Sequence, residues 1–191
     1  MEVAGFEEKM FKDDPLKTEL VIWIAGCNYN CFYCHNKHIS KLNQNKIEFS
    51  VVFEHIKKRK NFLDAVVFTG GEPTLHPDLK IMIKKVKETE IPVVLDTNGT
   101  NPKVVEDLIE ENLLNFIAMD IKCTFDKYES ITKANPQIDN VKKTIKIIEE
   151  SGILHKFRTA KPLEVTDDDI KEIQTYIKSK LEVNTNLITT L

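Results

Sequence analysis

AVVFTGGEPTLHPDLKIMIKKVK, residues 65–87, holds a strand, a loop and a helix in one short stretch. Ala65–Thr69 is a run of apolar and β-branched residues, and Gly70-Gly71-Glu72-Pro73 breaks it. Beyond Pro77, a residue suited to a helix start, Leu79, Met82, Ile83 and Val86 recur at the i, i+3, i+4, i+7 spacing of one helix face. A strand that is apolar throughout, with no polar residue at every second position, needs cover on both faces. That is the condition of a strand in a parallel sheet.

The same unit repeats along the chain. Further strands are expected at Leu20–Ala25, Pro92–Asp96, Phe116–Asp120 and Ile153–Thr159. Asn101-Pro102 should cap a helix that turns Val104, Val105, Leu108 and Ile109 inward. Val141, Ile145 and Ile148 line another, stopped by Gly152. Thr166-x-x-Asp169 opens a further helix with Ile170, Ile173 and Ile177 on one face, and Ser50 caps one running to Lys60. A sixth strand is expected, if anywhere, at Asn186–Leu191. Alternation of this kind predicts a parallel α/β sheet or barrel built as one domain over residues 1–191.

Composition narrows the class of protein. Hydrophobic residues make up 41% and charged residues 30% of the 191, an ordinary balance for a globular chain. No apolar run is long enough for a bilayer and the first residues lack a signal-peptide core, so membrane attachment is not expected. A net charge of −3 provides no electrostatic footprint for nucleic acid. Clustered thiols without an export signal suit a reducing, cytoplasmic interior.

The polar residues collect at strand ends. Gly26-Cys27 follows the first strand and Gly70-Gly71-Glu72-Pro73 the second. Asp96-Thr97-Asn98-Gly99 ends the third, Asp120 and Lys122 the fourth, and Arg158 the fifth. Ligands bind at the C-terminal ends of strands in open α/β sheets and in βα barrels, so five such ends predict one site. Asn-Gly is also a plain turn signal, and strand-end charges can be merely solvated.

GCNYNCFYCHN, residues 26–36, carries three of the four cysteines, Cys27, Cys31 and Cys34, as C-x3-C-x2-C. A disulfide is one reading. A structural zinc is another, completed by His35, His38 or Cys123, although such sites usually take four ligands as two separated pairs. Three thiolates on one short loop also suit a cubane cluster, where each thiolate binds its own iron and one iron stays open.

C-x3-C-x2-C with Tyr33 before the last cysteine, followed by GGEP after the next strand, resembles the radical S-adenosylmethionine enzymes. YCHN (33–36), TGGEPTLHPDL (69–79), LDTNGT (95–100), AMDIK (118–122) and FRT (157–159) resemble the activating enzymes of glycyl-radical proteins, over roughly residues 5–180. The resemblance implies an incomplete (β/α) barrel of five to six units, since a closed barrel takes about 250 residues. It implies a [4Fe–4S] cluster on Cys27, Cys31 and Cys34, whose open iron takes S-adenosylmethionine. One electron then cleaves the sulfonium to a 5′-deoxyadenosyl radical that removes hydrogen from a glycine of a partner enzyme. Implied as cofactor contacts are Gly70, Gly71 and Glu72 by the methionyl end, and Tyr33 and the backbone around His35 by the adenine. Asp120 and Lys122 fall beside the ribose and carboxylate, Arg158 offers a second carboxylate partner, and Asp96 with Asn98 belongs to the DTNG segment. Asp96 also matches a monovalent-cation site. The implied partners are a glycyl-radical enzyme, anaerobic ribonucleotide reductase first among them, and a one-electron donor such as flavodoxin or ferredoxin. Two rivals remain: a radical enzyme acting on a small molecule, of the deazaguanine-synthase kind, and a zinc-binding module.

Overall fold

A computed structural model of the chain describes residues 2–11, 14–40 and 46–185. The chain opens with β1 (Glu2–Val3), β2 (Gly5–Phe11) and β3 (Asp14–Ile24), followed by α1 (Lys37–Ser40), β4 (Ile47–Glu48) and α2 (Phe49–Arg59). Then come β5 (Ala65–Gly70), α3 (Leu79–Lys87), β6 (Val93–Thr97), α4 (Pro102–Glu110) and β7 (Phe116–Asp120). The last part holds α5 (Tyr128–Thr132), α6 (Ile138–Ser151), β8 (Leu154–Ala160), α7 (Asp167–Thr175) and β9 (Leu181–Asn184).

Seven strands form one sheet in the order β2-β3-β5-β6-β7-β8-β9. From β3 to β9 every pairing is parallel and neighbours follow in chain order, as in a barrel that winds one way. Six parallel strands make the incomplete α/β barrel expected. One face of the sheet is the hydrophobic core. Leu20, Ile22, Ile24, Phe68, Leu95, Met119 and Phe157 are fully buried there, with Val52, Ile56, Met82, Val86, Val105, Leu108 and Ile148 of the helices. Each such side chain contributes about 1.5–3 kcal/mol by leaving water. Alternate residues, among them Val21, Val67, Val94, Ala118 and Lys156, face the other way and line a trough of about 1330 Å³.

Several expectations shift. Gly5–Phe11 forms an antiparallel edge strand on β3, where the sequence suggested none, because its Glu7-Glu8-Lys9 centre lacks an apolar run. It is held to α2 by Glu8, which accepts from Arg59 Nε at 2.8 Å and pairs with His55 Nε2 at 2.8 Å. Ser50 lies inside α2, whose N-cap is Glu48 with no side-chain bond. Asn101 stands at the N-cap of α4, but its amide donates to Thr74 Oγ1 at 3.0 Å instead of to its own helix. The Thr166–Asp169 capping box and the Gly152 stop, with φ +74°, form as read. The sixth parallel strand is Leu181–Asn184; the stretch Asn186–Leu191 lies outside the described residues. Among the described residues, no helix is long and apolar enough to cross a membrane.

Candidate active site

Parallel register brings the C-terminal ends of β3, β5, β6, β7, β8 and β9 to one rim, and a second cavity of about 380 Å³ opens there. Its size suits a small-molecule cofactor. All thirteen residues singled out by the sequence line it: Cys27, Cys31, Tyr33, Cys34, His35, Gly70, Gly71, Glu72, Asp96, Asn98, Asp120, Lys122 and Arg158. Lys156, Glu182 and Asn184 also line it and were missed. Lys156 could have been found from its two-residue offset to Arg158, which puts both on one face of β8.

The cysteine loop is fixed mainly through its backbone. Gly26 N–H donates to Ile39 O at 2.9 Å, Asn30 N–H to Thr132 O at 2.8 Å, and Cys34 N–H to Cys31 O at 3.1 Å. Tyr29 N–H points at Cys27 Sγ, 3.4 Å away, and Tyr29 Oη donates to Pro136 O at 2.5 Å. All three thiols are free. Burial pushes the Cys27 thiol up to about 11 and raises Cys31 as well, so binding a metal must displace their protons. Cys123 is a fully buried free thiol outside the cavity lining, raised to about 12 by burial.

Gly70 and Gly71 serve the meeting of two loops. Gly70 has φ +124°, and a Cβ on Gly71 would sit 1.9 Å from the Gly26 carbonyl oxygen. That approach lets Gly71 N–H reach Ile24 O at 2.9 Å and Glu72 N–H reach Gly26 O at 2.7 Å. The Glu72 carboxylate, only 1% exposed, turns away from the cavity's solvent. Its Oε1 accepts from Thr74 N–H at 3.2 Å, Thr74 Oγ1 at 2.5 Å and Thr97 Oγ1 at 2.7 Å, and its Oε2 from Asn98 N–H at 2.6 Å. Burial raises its pKa while these donors oppose the shift. Glu72 therefore ties the loops after β3, β5 and β6 together. Asn98 has a related part: its side chain is spent on Asn28 and Thr100.

Four charges occupy the far wall. Arg158 pairs with Asp120 across the β7–β8 register, Nε to Oδ1 at 2.8 Å. Its Nη2 also lies 3.4 Å from Asp96 Oδ2, two strands away on β6. Lys122 Nζ holds the other Asp120 oxygen at 2.9 Å. Burial works to raise the Asp120 carboxyl, but Lys122 and Arg158 outweigh it and hold it near about 2. Burial likewise opposes the charge on Lys122, yet Asp120 raises it well above the ordinary lysine value. Asp96 is raised by burial, with Arg158 acting against that. Arg158 thus sets positive charge against Asp96, the residue that the resemblance matched to a monovalent-cation site.

A family model described as the radical SAM superfamily matches residues 21–177. The chain belongs to the radical SAM superfamily. It is 36% identical over 182 residues to a Methanocaldococcus jannaschii protein named as a glycyl-radical enzyme activating enzyme, covering 92% of this chain and 75% of that one. It is also 30% identical to a Pyrococcus horikoshii protein named as a GTP 3′,8-cyclase, over 78% of this chain and 48% of the other. Streptococcus suis SuiB superposes with a TM-score of 0.69 at 19% identity, over 86% of this chain and 39% of SuiB. QueE from Escherichia coli superposes with 0.52 at 15% identity, over 96% and 93%. At those identities the two structures speak for the fold.

Membership in this superfamily implies a [4Fe–4S] cluster and S-adenosylmethionine, and the residues present fit both. Three free thiols on one short loop line the same cavity as the cations Lys122 and Arg158, which sets a thiolate donor set for iron beside positive charge for a carboxylate. Among the described residues no three His, Cys, Asp or Glu side chains are grouped to hold a single metal ion. A cubane needs no such grouping, because each thiolate takes a separate iron.

Proposed function

We propose that this radical SAM enzyme activates a partner protein by making a glycyl radical in it. The observation that carries the proposal is the continuity of the two cavities. The trough along the sheet and the site at its rim share Asn36, Thr69, Asp96, Lys156, Arg158 and Asn184. A polypeptide loop laid along the open sheet can therefore reach the site without entering a closed pocket. The Methanocaldococcus jannaschii relative, by its name, supports the same reading.

In this proposal Cys27, Cys31 and Cys34 would hold the cluster. When bound and reduced, the cluster would supply one electron for the reductive cleavage of S-adenosylmethionine, the chemistry by which a hydrogen atom would be removed from the glycine Cα. The chain's own residues bind and orient. Lys122 and Arg158 bring positive charge to the methionyl carboxylate, with Asp120 and Asp96 keeping both in place. The backbone of Gly70 and Gly71 borders the methionyl amino group, and Tyr33 and the backbone around His35 border the adenine. Glu72 and Asn98 support these loops from behind. A monovalent cation would compete with Arg158 for Asp96, and the proposal does not require one.

The test mixes reduced, reconstituted protein with S-adenosylmethionine and a glycyl-radical enzyme, anaerobic ribonucleotide reductase first, under a low-potential donor such as flavodoxin or ferredoxin. A glycine-centred doublet should appear in the partner's EPR spectrum. Deuterium placed at that glycine should be recovered in 5′-deoxyadenosine. Deoxyadenosine without partner-derived deuterium would end the activase reading in favour of a small-molecule substrate, the reading to which the GTP 3′,8-cyclase relative points.

A further inference from the structure

Asn28 lies inside the C-x3-C segment, yet it is not among the residues lining the site cavity. Its side chain points instead into the loop after β6. There, Asn98 Nδ2 donates to Asn28 Oδ1 at 2.9 Å, and Asn28 Nδ2 donates to Thr100 Oγ1 at 2.9 Å. Thr100 Oγ1 donates to Asn98 Oδ1 at 2.7 Å, which closes a ring of three side chains. The direction of the ring is fixed by the backbone. Thr100 N–H also reaches Asn98 Oδ1 at 3.0 Å, and an N–H can only donate, so that atom is the amide oxygen.

The ring is anchored, and two of its members are buried: Asn98 is 5% exposed and Thr100 0%, while Asn28 is half-buried. Asn98 N–H is held by Glu72 Oε2 at 2.6 Å, Asn140 Nδ2 donates to Thr100 O at 3.0 Å, and Thr144 Oγ1 donates to the adjacent Gly99 O at 2.7 Å. A second path leads from Glu72 back to the cysteine loop through Glu72 N–H and Gly26 O, 2.7 Å apart. Gly26 and Asn28 flank Cys27, so the cysteine is gripped on both sides by one rigid support. Its Sγ meanwhile receives the N–H of Tyr29, the residue after Asn28.

We infer that Asn28 is a positioning residue: the Asn28–Thr100–Asn98 ring sets the backbone between Cys27 and Cys31 so that the Tyr29 N–H is aimed at the Cys27 sulfur. The inference rests on the cysteines holding the cluster. Hydrogen bonds to a cluster's sulfur ligands favour its reduced, more negative state and raise its potential. Loosening the ring should therefore make the cluster harder to reduce while leaving all three thiols available for iron.

The experiment compares Asn28→Ala, Thr100→Val, their double variant and Thr100→Ser with the parent. Thr100→Val keeps the buried shape and deletes only the hydroxyl, which guards against a folding failure of Asn28→Ala. In protein without iron, hydrogen exchange at the Tyr29 amide should quicken by roughly tenfold in each single variant. The double variant should exceed neither single by much, because either change opens the same ring. Thr100→Ser should restore protection. In reconstituted protein, iron content should match the parent and the potential should move to more negative values. Parent-like exchange and potential in Asn28→Ala, or effects that add in the double variant, would overturn the inference. A parent protein that takes up no iron would defeat the cluster reading instead and leave the exchange result standing.

Discussion

Replacing Gly71 by alanine puts a methyl group 1.9 Å from the Gly26 carbonyl oxygen and 2.5 Å from its carbon, where contacts under 3.0 Å essentially never occur. Both neighbours are backbone, so no side chain can swing aside. The loops after β3 and β5 must part by upward of about 1 Å, straining or losing the 2.7 Å bond from Glu72 N–H to Gly26 O. Overpacking of this kind costs about 1–3 kcal/mol, and a lost main-chain bond adds about 1 kcal/mol. For a chain of this length that lowers the melting temperature by roughly 4–16 °C. Because Gly26 leads directly into Cys27, the same movement displaces a proposed cluster anchor, and a 1 Å misplacement can cost about 100-fold in rate. The assay pairs thermal unfolding with 5′-deoxyadenosine formation by reduced, reconstituted protein. Gly152→Ala is the control: its φ is +74° but its Cβ meets nothing within 4 Å. It should cost about 1 kcal/mol of stability and leave cleavage at the parent rate. A Gly71→Ala protein that melts with the parent and cleaves S-adenosylmethionine at the parent rate would refute the loop-contact reasoning.

Three further outcomes are expected. Alanine at Cys27, Cys31 or Cys34 should abolish S-adenosylmethionine cleavage, whereas Cys123→Ser should retain the parent's iron, measured per chain after anaerobic reconstitution; iron loss in Cys123→Ser would show a wrong ligand set. Lys122→Ala should weaken S-adenosylmethionine binding by about 1.5–3 kcal/mol in a titration, with iron content unchanged; parent-like affinity would reduce Lys122 to a partner of Asp120. Asp120 should matter for acid stability, because a carboxyl held near about 2, against an ordinary 3.8, binds its proton less readily folded than unfolded. Its contribution is complete above pH 3.8 and fades as pH falls towards about 2, so parent and Asp120→Asn should converge in denaturant unfolding across that window; a constant gap would contradict the ion-paired state.

The sequence by itself determined the repeating unit and the kind of chemistry. Continuous apolar runs such as Ala65–Thr69 and the spacing of Leu79, Met82, Ile83 and Val86 report burial over a few residues, which is a local property. The proposed cluster anchors Cys27, Cys31 and Cys34 are legible for the same reason, since their residue type and spacing lie within one loop. Strand ends rich in Gly, Asp, Lys and Arg indicated where the site would be, and parallel register in chain order brought them to one rim. The antiparallel β2 was not legible, because Glu7, Glu8 and Lys9 acquire a place only once β3 offers an edge to pair with. Tertiary structure alone decided that Arg158 faces Asp96 and Asp120. It also decided that Asn98 serves Asn28, 70 positions earlier, and that Gly71 is required by the Gly26 carbonyl. Those choices depend on distances across loops far apart in the chain, and a hydrogen bond or a steric contact of 2–3 Å exists only after the strands between them have taken their register.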